Sequence, residues 1–221
     1  MKTIEIEIPV ESCTLKGNLN IPKHPTAIVV FAHGSGSSRF SKRNIEVATQ
    51  LNEHNMATLL TDLLSPEEDK IYENRFDISL LTQRLVAVTN HITQLPELKK
   101  LPIAYFGAST GAASALKAAA QLSDKIDAVV SRGGRPDLAF SDLKYVKAPT
   151  LLIVGSLDDV VIELNIQALK VLNCEKHLEI IPGATHLFEE PGKLNKVAEI
   201  ATAWIEKHTR KPKTEKHDLQ K

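Results

Sequence analysis

Three residues far apart in the chain offer a coherent chemistry: Ser109, Asp158 and His186. A serine hydroxyl is a poor nucleophile at neutral pH; it needs a base to take its proton, and that base needs an anion to orient it. Ser109 stands in Tyr105-Phe106-Gly107-Ala108-Ser109-Thr110-Gly111, where an apolar run ends in Gly-x-Ser-x-Gly and an Ala-rich helical segment follows. This is the sequence form of a nucleophile elbow. The strand-to-helix turn is so tight that small residues must flank it, and the serine is thrust out at its tip. The helix N-terminus behind it favours negative charge, and so an oxyanion.

In such a fold the chain order is serine, then acid, then histidine. Leu151-Leu152-Ile153-Val154-Gly155-Ser156-Leu157-Asp158-Asp159 supplies an acid one short turn after a buried strand, and Ile180-Ile181-Pro182-Gly183-Ala184-Thr185-His186 a histidine just past the last strand. Ser109 is expected as nucleophile, His186 as general base and then general acid, and Asp158 as orienting carboxylate. Only one of Asp158 and Asp159 can point at His186, and the Gly155-x-x-Asp158 turn favours the first. His177 precedes the last strand and so lies at the wrong end of the sheet.

The loop His33-Gly34-Ser35-Gly36 follows the first buried strand. There it is expected to give the backbone N–H of Ser35 to an oxyanion hole, with the N–H of Thr110 as the second donor. His33 is read as shaping the loop. Arg39, Arg132 and Arg135 sit in loops at carboxyl ends of strands and are candidates to hold an anionic group on the substrate. The competing reading pairs them with local acids such as Asp137 or has them cap loop carbonyls. No Gly-Lys-Ser/Thr follows the glycine loop, and Arg39 stands where a dinucleotide fingerprint needs its third glycine, so neither nucleotide motif is met. Cys174-x-x-His177 has ligand spacing, but two cysteines in the whole chain make no convincing zinc site. No metal and no cofactor is expected.

The elements that must hold these residues alternate strand and helix from residue 26 onward, which argues a parallel sheet covered by helices. Strands are expected at 3–10 and 13–21 as an antiparallel pair, then at 26–32, 56–61, 102–106, 126–130, 150–154 and 178–181. Helices are expected from a Ser41 cap to about Asn55, over Asp77 to Ile92, after Ser109, over Val161 to Leu172, and over Lys193 to His208 with Trp204 on its core face. Ser65 to Asn74 reads as a polar, acidic loop. Ligands of such sheets bind at the carboxyl ends of strands, where every candidate residue falls.

The 221 residues suit one α/β domain over 1–208, with a polar, Lys-rich, disordered tail at 209–221. Lys plus Arg number 27 and Asp plus Glu 27, so no bulk charge draws the chain to nucleic acid or membrane. Two cysteines form no disulfide framework, the N-terminus alternates like a strand rather than a leader, and no segment is long and apolar enough to span a bilayer. A reduced, cytoplasmic setting is the expectation, with a small-molecule ester as partner and the oligomeric state open.

The chain resembles the α/β-hydrolase superfamily over nearly all of residues 1–208, and within it the small dienelactone-hydrolase-like branch. It is similar to a bacterial group of hydrolases, some fused to phosphoribosyltransferase domains. The blocks that carry the resemblance are His33-Gly-Ser-Gly-Ser-Ser-Arg39, Gly107-Ala-Ser-Thr-Gly111, Ser131-Arg-Gly-Gly-Arg-Pro-Asp137 and Gly183-Ala-Thr-His-Leu-Phe-Glu-Glu-Pro191. The resemblance implies an α/β-hydrolase fold: a mostly parallel sheet of about eight strands, an N-terminal antiparallel pair, and helices on both faces. Dienelactone hydrolases proper use a cysteine nucleophile, so Ser109 points to ester hydrolysis rather than to dienelactone. Only about eighteen residues separate Ser131 from the strand at Thr150, too few for a cap domain, so the site should be open. The expected activity is hydrolysis of carboxylic esters or thioesters through an acyl-enzyme at Ser109. An acyltransferase using the same triad and a non-enzymatic ligand-binding role are the alternatives.

Overall fold

The structure, a computed structural model, describes residues 1–209. The expected disordered tail therefore lies outside the described residues, apart from Thr209, which ends the last helix. Eight strands form one sheet: β1 (Lys2–Pro9), β2 (Thr14–Ile21), β3 (Ala27–Ala32), β4 (Met56–Thr61), β5 (Ile103–Ala108), β6 (Ala128–Arg132), β7 (Thr150–Gly155) and β8 (Lys176–Ile181), in the order β1-β2-β4-β3-β5-β6-β7-β8. β1 and β2 are antiparallel, as is the β2–β4 pair, and the remaining strands run parallel.

The patterning explains the division. β1 alternates exposed and half-buried residues along an edge, whereas β3, β4, β5 and β7 are buried at every position. Strands covered on both faces read as unbroken apolar runs. The covers are α1 (Lys42–Glu53) and α6 (Lys193–Thr209) on one face, and α3 (Ile78–Ile92), α4 (Thr110–Leu122) and α5 (Asp159–Val171) on the other. Val47 and Leu51 of α1 and Val197, Ala201 and Ile205 of α6 pack with Phe31 and Phe106. Leu81, Leu85 and Val88 of α3 pack with Ala115, Leu116 and Tyr105. Trp204 is only half-buried at the rim of its cluster, and its indole N–H donates to Pro149 O.

The acidic stretch after β4 is more ordered than a loop. Ser65 and Glu68 form a reciprocal capping box around the short helix α2 (Pro66–Asp69), and a 3-10 turn covers Tyr72–Phe76. Ser-x-x-Glu is the sequence form of that box. Between β6 and β7 stand only two 3-10 turns, Pro136–Ala139 and Leu143–Tyr145, and no cap domain is inserted there.

Sheet register brings the site together. Ala32 pairs with Gly107, Ala108 with Arg132, and Gly155 with Ile181, so the loops after β3, β5, β6, β7 and β8 all leave one edge of the sheet.

Candidate active site

Ser109 links β5 to α4 with φ 52 and ψ −121, a conformation that L-residues rarely adopt. Its surroundings over-determine that strain. The Ser109 N–H donates to Arg132 O at 3.1 Å, and its carbonyl accepts from the N–H groups of Ala112 and Arg135, each at 3.1 Å. The end of β6 and the turn after it, from Ser131 to Arg135, are thus the brace of the elbow; Arg132, expected in a loop, is the last residue of that strand, because its backbone pairs with Ala108 and Ile153. The flanking glycines are required by close approach: a Cβ on Gly107 would lie 2.5 Å from Ala112 Cα, and one on Gly111 2.2 Å from Ala32 O. Strained backbone held in this way concentrates at functional sites.

His186 lies in the loop after β8, which Phe188 anchors by its fully buried ring. Glu190 fixes the same loop by accepting from the backbone N–H and hydroxyl of Thr185. The His186 ring packs beside Gly133, where a Cβ would come within 3.4 Å of Nδ1. Nδ1 meets Asp158 Oδ2 at 2.6 Å. Asp158 holds the N-cap position of α5, yet its side chain caps nothing there. Asp159 is the first residue of the helix and is exposed.

Ser109 and His186 line one cleft of about 250 Å³ together with Gly34, Ser35, Arg132 and Arg43. Asp158 stands behind the imidazole. Thr110 is buried, and its hydroxyl accepts from Ser35 N–H at 2.8 Å. The Ser35 N–H expected in the oxyanion hole is therefore engaged, whereas Thr110's own N–H belongs to the first turn of α4. His33 shapes its loop through both ring nitrogens: Nδ1 donates to Gly34 O at 2.9 Å, and Nε2 accepts from Leu63 N–H at 3.2 Å. Burial lowers the pKa of His33, in keeping with a neutral ring that accepts a hydrogen bond.

The three arginines part company. Arg39 is buried but bound to Asp62 at 2.7 Å and Glu5 at 2.8 Å, and it does not line the cleft. Arg135 is clamped two-pronged by Asp137, at 2.8 and 2.7 Å, and is likewise outside the cleft. Arg135 is held by its neighbour Asp137, as the competing sequence reading has it, whereas Arg39 is held by acids distant in sequence. Arg132 does line the cleft. Burial and the neighbouring Arg43 push its pKa down to about 10, which leaves it charged at neutral pH. Arg43, in the first turn of α1, was not legible as a site residue; the signal available was its place two residues past the Ser41 cap, close after the glycine loop. Among the described residues, no three His, Cys, Asp or Glu side chains stand together as a metal site.

A sheet of this order, an elbow serine and a histidine–carboxylate pair at its carboxyl edge define an α/β-hydrolase-type protein. The chain belongs to the dienelactone hydrolase family, whose model matches residues 15–210. A dienelactone hydrolase from Anabaena variabilis is 52% identical with a TM-score of 0.92, over 95% of this chain and 99% of that one. Est1E from Butyrivibrio proteoclasticus shares the fold at 18% identity, with a TM-score of 0.81 over 94% of this chain and 99% of that one. Two Mycobacterium tuberculosis proteins called putative phosphoribosyl transferases are 52% identical over 204 residues, 92% of this chain but 46% of theirs. The chain thus spans about half the length of the curated relatives it matches. Among the described residues no helix is long and apolar enough to cross a membrane.

Proposed function

We propose that this hydrolase-family chain cleaves carboxylic esters or thioesters through an acyl-enzyme at Ser109. The observation that carries the reading is the 2.6 Å contact of His186 with Asp158, at the cleft where the strained Ser109 stands. Asp158 holds the Nδ1–H tautomer, so Nε2 is left free to accept a proton. Ser109 Oγ attacks the carbonyl carbon while its proton passes to His186 Nε2, and the tetrahedral oxyanion forms at the N-terminus of α4. Collapse breaks the carbon–oxygen bond of an ester or the carbon–sulfur bond of a thioester, and His186 returns the proton to the leaving alcohol or thiol. Water, deprotonated by His186, then releases the acid and restores Ser109. The oxyanion donors in this scheme are the N–H of Thr110 and that of Ser35, the latter released when the Thr110 hydroxyl turns away. We read the transferase name of the mycobacterial relatives as belonging to the half of those chains that this protein does not match.

The test is labelling with a fluorophosphonate, with the adduct located by peptide mass spectrometry, alongside release of p-nitrophenol from p-nitrophenyl acetate. Label on Ser109 and turnover abolished by the label are expected. An unlabelled Ser109 with turnover intact would overturn the scheme.

A further inference from the structure

We propose that the cleft binds a phosphoryl group carried by the substrate, that Arg132 is its principal ligand, and that Arg43 assists. The proposal takes from the ester reading above only the identity of the bond that is cleaved; the anion site stands on its own residues.

Three arginines are buried among the described residues: Arg39, Arg84 and Arg132. Carboxylates answer the first two, Asp62 and Glu5 for Arg39 and Glu68 for Arg84. Arg132 is as deeply buried, at 6% exposure, yet has no ion pair, and its Nη1 has no hydrogen-bond partner. The charged group that acts on it is a second cation, Arg43, and the face of Phe106 lies 5.9 Å from Cζ. A buried charge is normally paired. Here the missing anion belongs in the cleft, because Arg132 lines the same space as Ser109 and His186.

The lining says which anion. Arg43 also faces the cleft; it pairs with the exposed Glu189 through Nη1, while its buried Nε has no partner. The first turn of the twelve-residue helix α1 opens onto the same space, so the positive end of its dipole adds to the field. Ser35, Ser37 and Ser41, whose hydroxyl groups can donate, are among the lining residues. These donors outnumber what the two oxygens of a carboxylate can accept. They suit the three terminal oxygens and the near-double charge of a phosphate monoester. Ala108 and Leu187 are the only apolar side chains among the lining residues, so a long acyl chain finds no wall to pack against. The substrate class is a small, hydrophilic ester or thioester with a phosphate monoester elsewhere in the molecule, such as an acylated polyol phosphate.

The experiment is calorimetric titration of the full chain with inorganic phosphate at low ionic strength. It compares the parent with Ser109→Ala, Arg132→Gln, Arg132→Lys and Arg43→Gln, each checked by circular dichroism. Phosphate is expected to bind the parent and Ser109→Ala alike, at least tenfold more weakly to Arg132→Gln, and several-fold more weakly to Arg43→Gln; Arg132→Lys recovers part of the loss. Absence of binding to the parent, equal binding to Arg132→Gln, or tighter binding of acetate and succinate than of phosphate overturns the proposal. If Arg132→Gln does not fold, Arg43→Gln decides, and parent-like affinity there overturns it. The second arm compares kcat/KM for acetylglycerol phosphate and acetylglycerol on the parent, with at least a tenfold preference expected for the phosphorylated ester; equal values on two turned-over esters overturn the proposal while leaving the ester reading intact. Arg132-dependent phosphate binding with neither ester cleaved sustains the anion site and counts against the ester reading instead.

Discussion

Asp158 occupies the N-cap of α5 and leaves it uncapped, turning its carboxylate to His186 Nδ1 at 2.6 Å. An Asp in that position ordinarily accepts from the first-turn N–H groups, to the benefit of about 1 kcal/mol. Local stability is forgone for the imidazole contact. Asp158→Asn should therefore cost on the order of 10⁴-fold in kcat, since an amide favours the wrong tautomer, with little change in melting temperature. Asp159→Asn, exposed at the helix start, should turn over nearly as the parent does. Steady-state assays on p-nitrophenyl acetate decide between them, and an inactive Asp159 variant would move the acid by one residue.

Ser109, the proposed nucleophile, is held at a conformational cost. Ser109→Ala should lose on the order of 10³-fold or more in turnover. Ser109→Gly should be as inactive but more stable than the alanine variant, by about 1 kcal/mol, because φ 52 strains any side chain except glycine's. Thermal unfolding of the two variants checks the order, and a glycine variant that melts lower would argue against strain at the elbow.

The Thr110 hydroxyl accepts from Ser35 N–H at 2.8 Å. If that N–H serves the oxyanion, the hydroxyl competes with it. Thr110→Ala should then keep kcat or raise it up to about tenfold, as expected for removing one neutral hydrogen bond of about 0.5–1.5 kcal/mol. A fall of about 10²-fold or more would mean that the hydroxyl itself is the donor to the oxyanion.

Arg132 is a buried cation with no ion pair, so the free protein carries its desolvation cost. Arg132→Met keeps the length of the side chain and removes the charge. It should stabilise the ligand-free protein by about 1–2 kcal/mol, seen as a higher midpoint in denaturant melts. Destabilisation would show that the guanidinium is compensated in the fold.

His33 ties acid sensitivity to the glycine loop. Its folded pKa lies below the ordinary 6.5, chiefly through burial. On acidification the unfolded chain takes up the proton first, so stability is full above about pH 6.5 and is lost as pH falls toward the folded value. Between pH 6.5 and about 5, above the usual carboxylate range, the parent should lose stability that His33→Gln does not. Parallel melting curves for the two proteins across that window would remove His33 as the cause.

Much of this protein is legible in one dimension, because its strands are buried on both faces and its turns are tight. Apolar runs such as 27–32 and 150–155, short and bounded by turn residues, read as interior strands, and Gly107 and Gly111 reveal an elbow because no side chain fits against Ala112 or Ala32. That Ser109, Asp158 and His186 follow in this order, each just past a strand, is visible in the sequence. The partner of a side chain is a different matter, since it depends on atoms from segments distant in sequence. Arg39, Arg132 and Arg135 look equivalent in the sequence, each read as a loop arginine. Asp137, two residues on, is visible beside Arg135 in the sequence, but only the folded chain brings Asp62 and Glu5 to Arg39 and leaves Arg132 without an acid. Arg43 joins Arg132 for the same reason: α1 folds back over the sheet and turns its first turn toward the cleft. That the Ser35 N–H is engaged by the Thr110 hydroxyl is likewise visible only in the folded chain. Periodicity and turn chemistry are local properties and survive in the sequence; charge pairing is a property of three-dimensional neighbours, and the tertiary structure alone decides it.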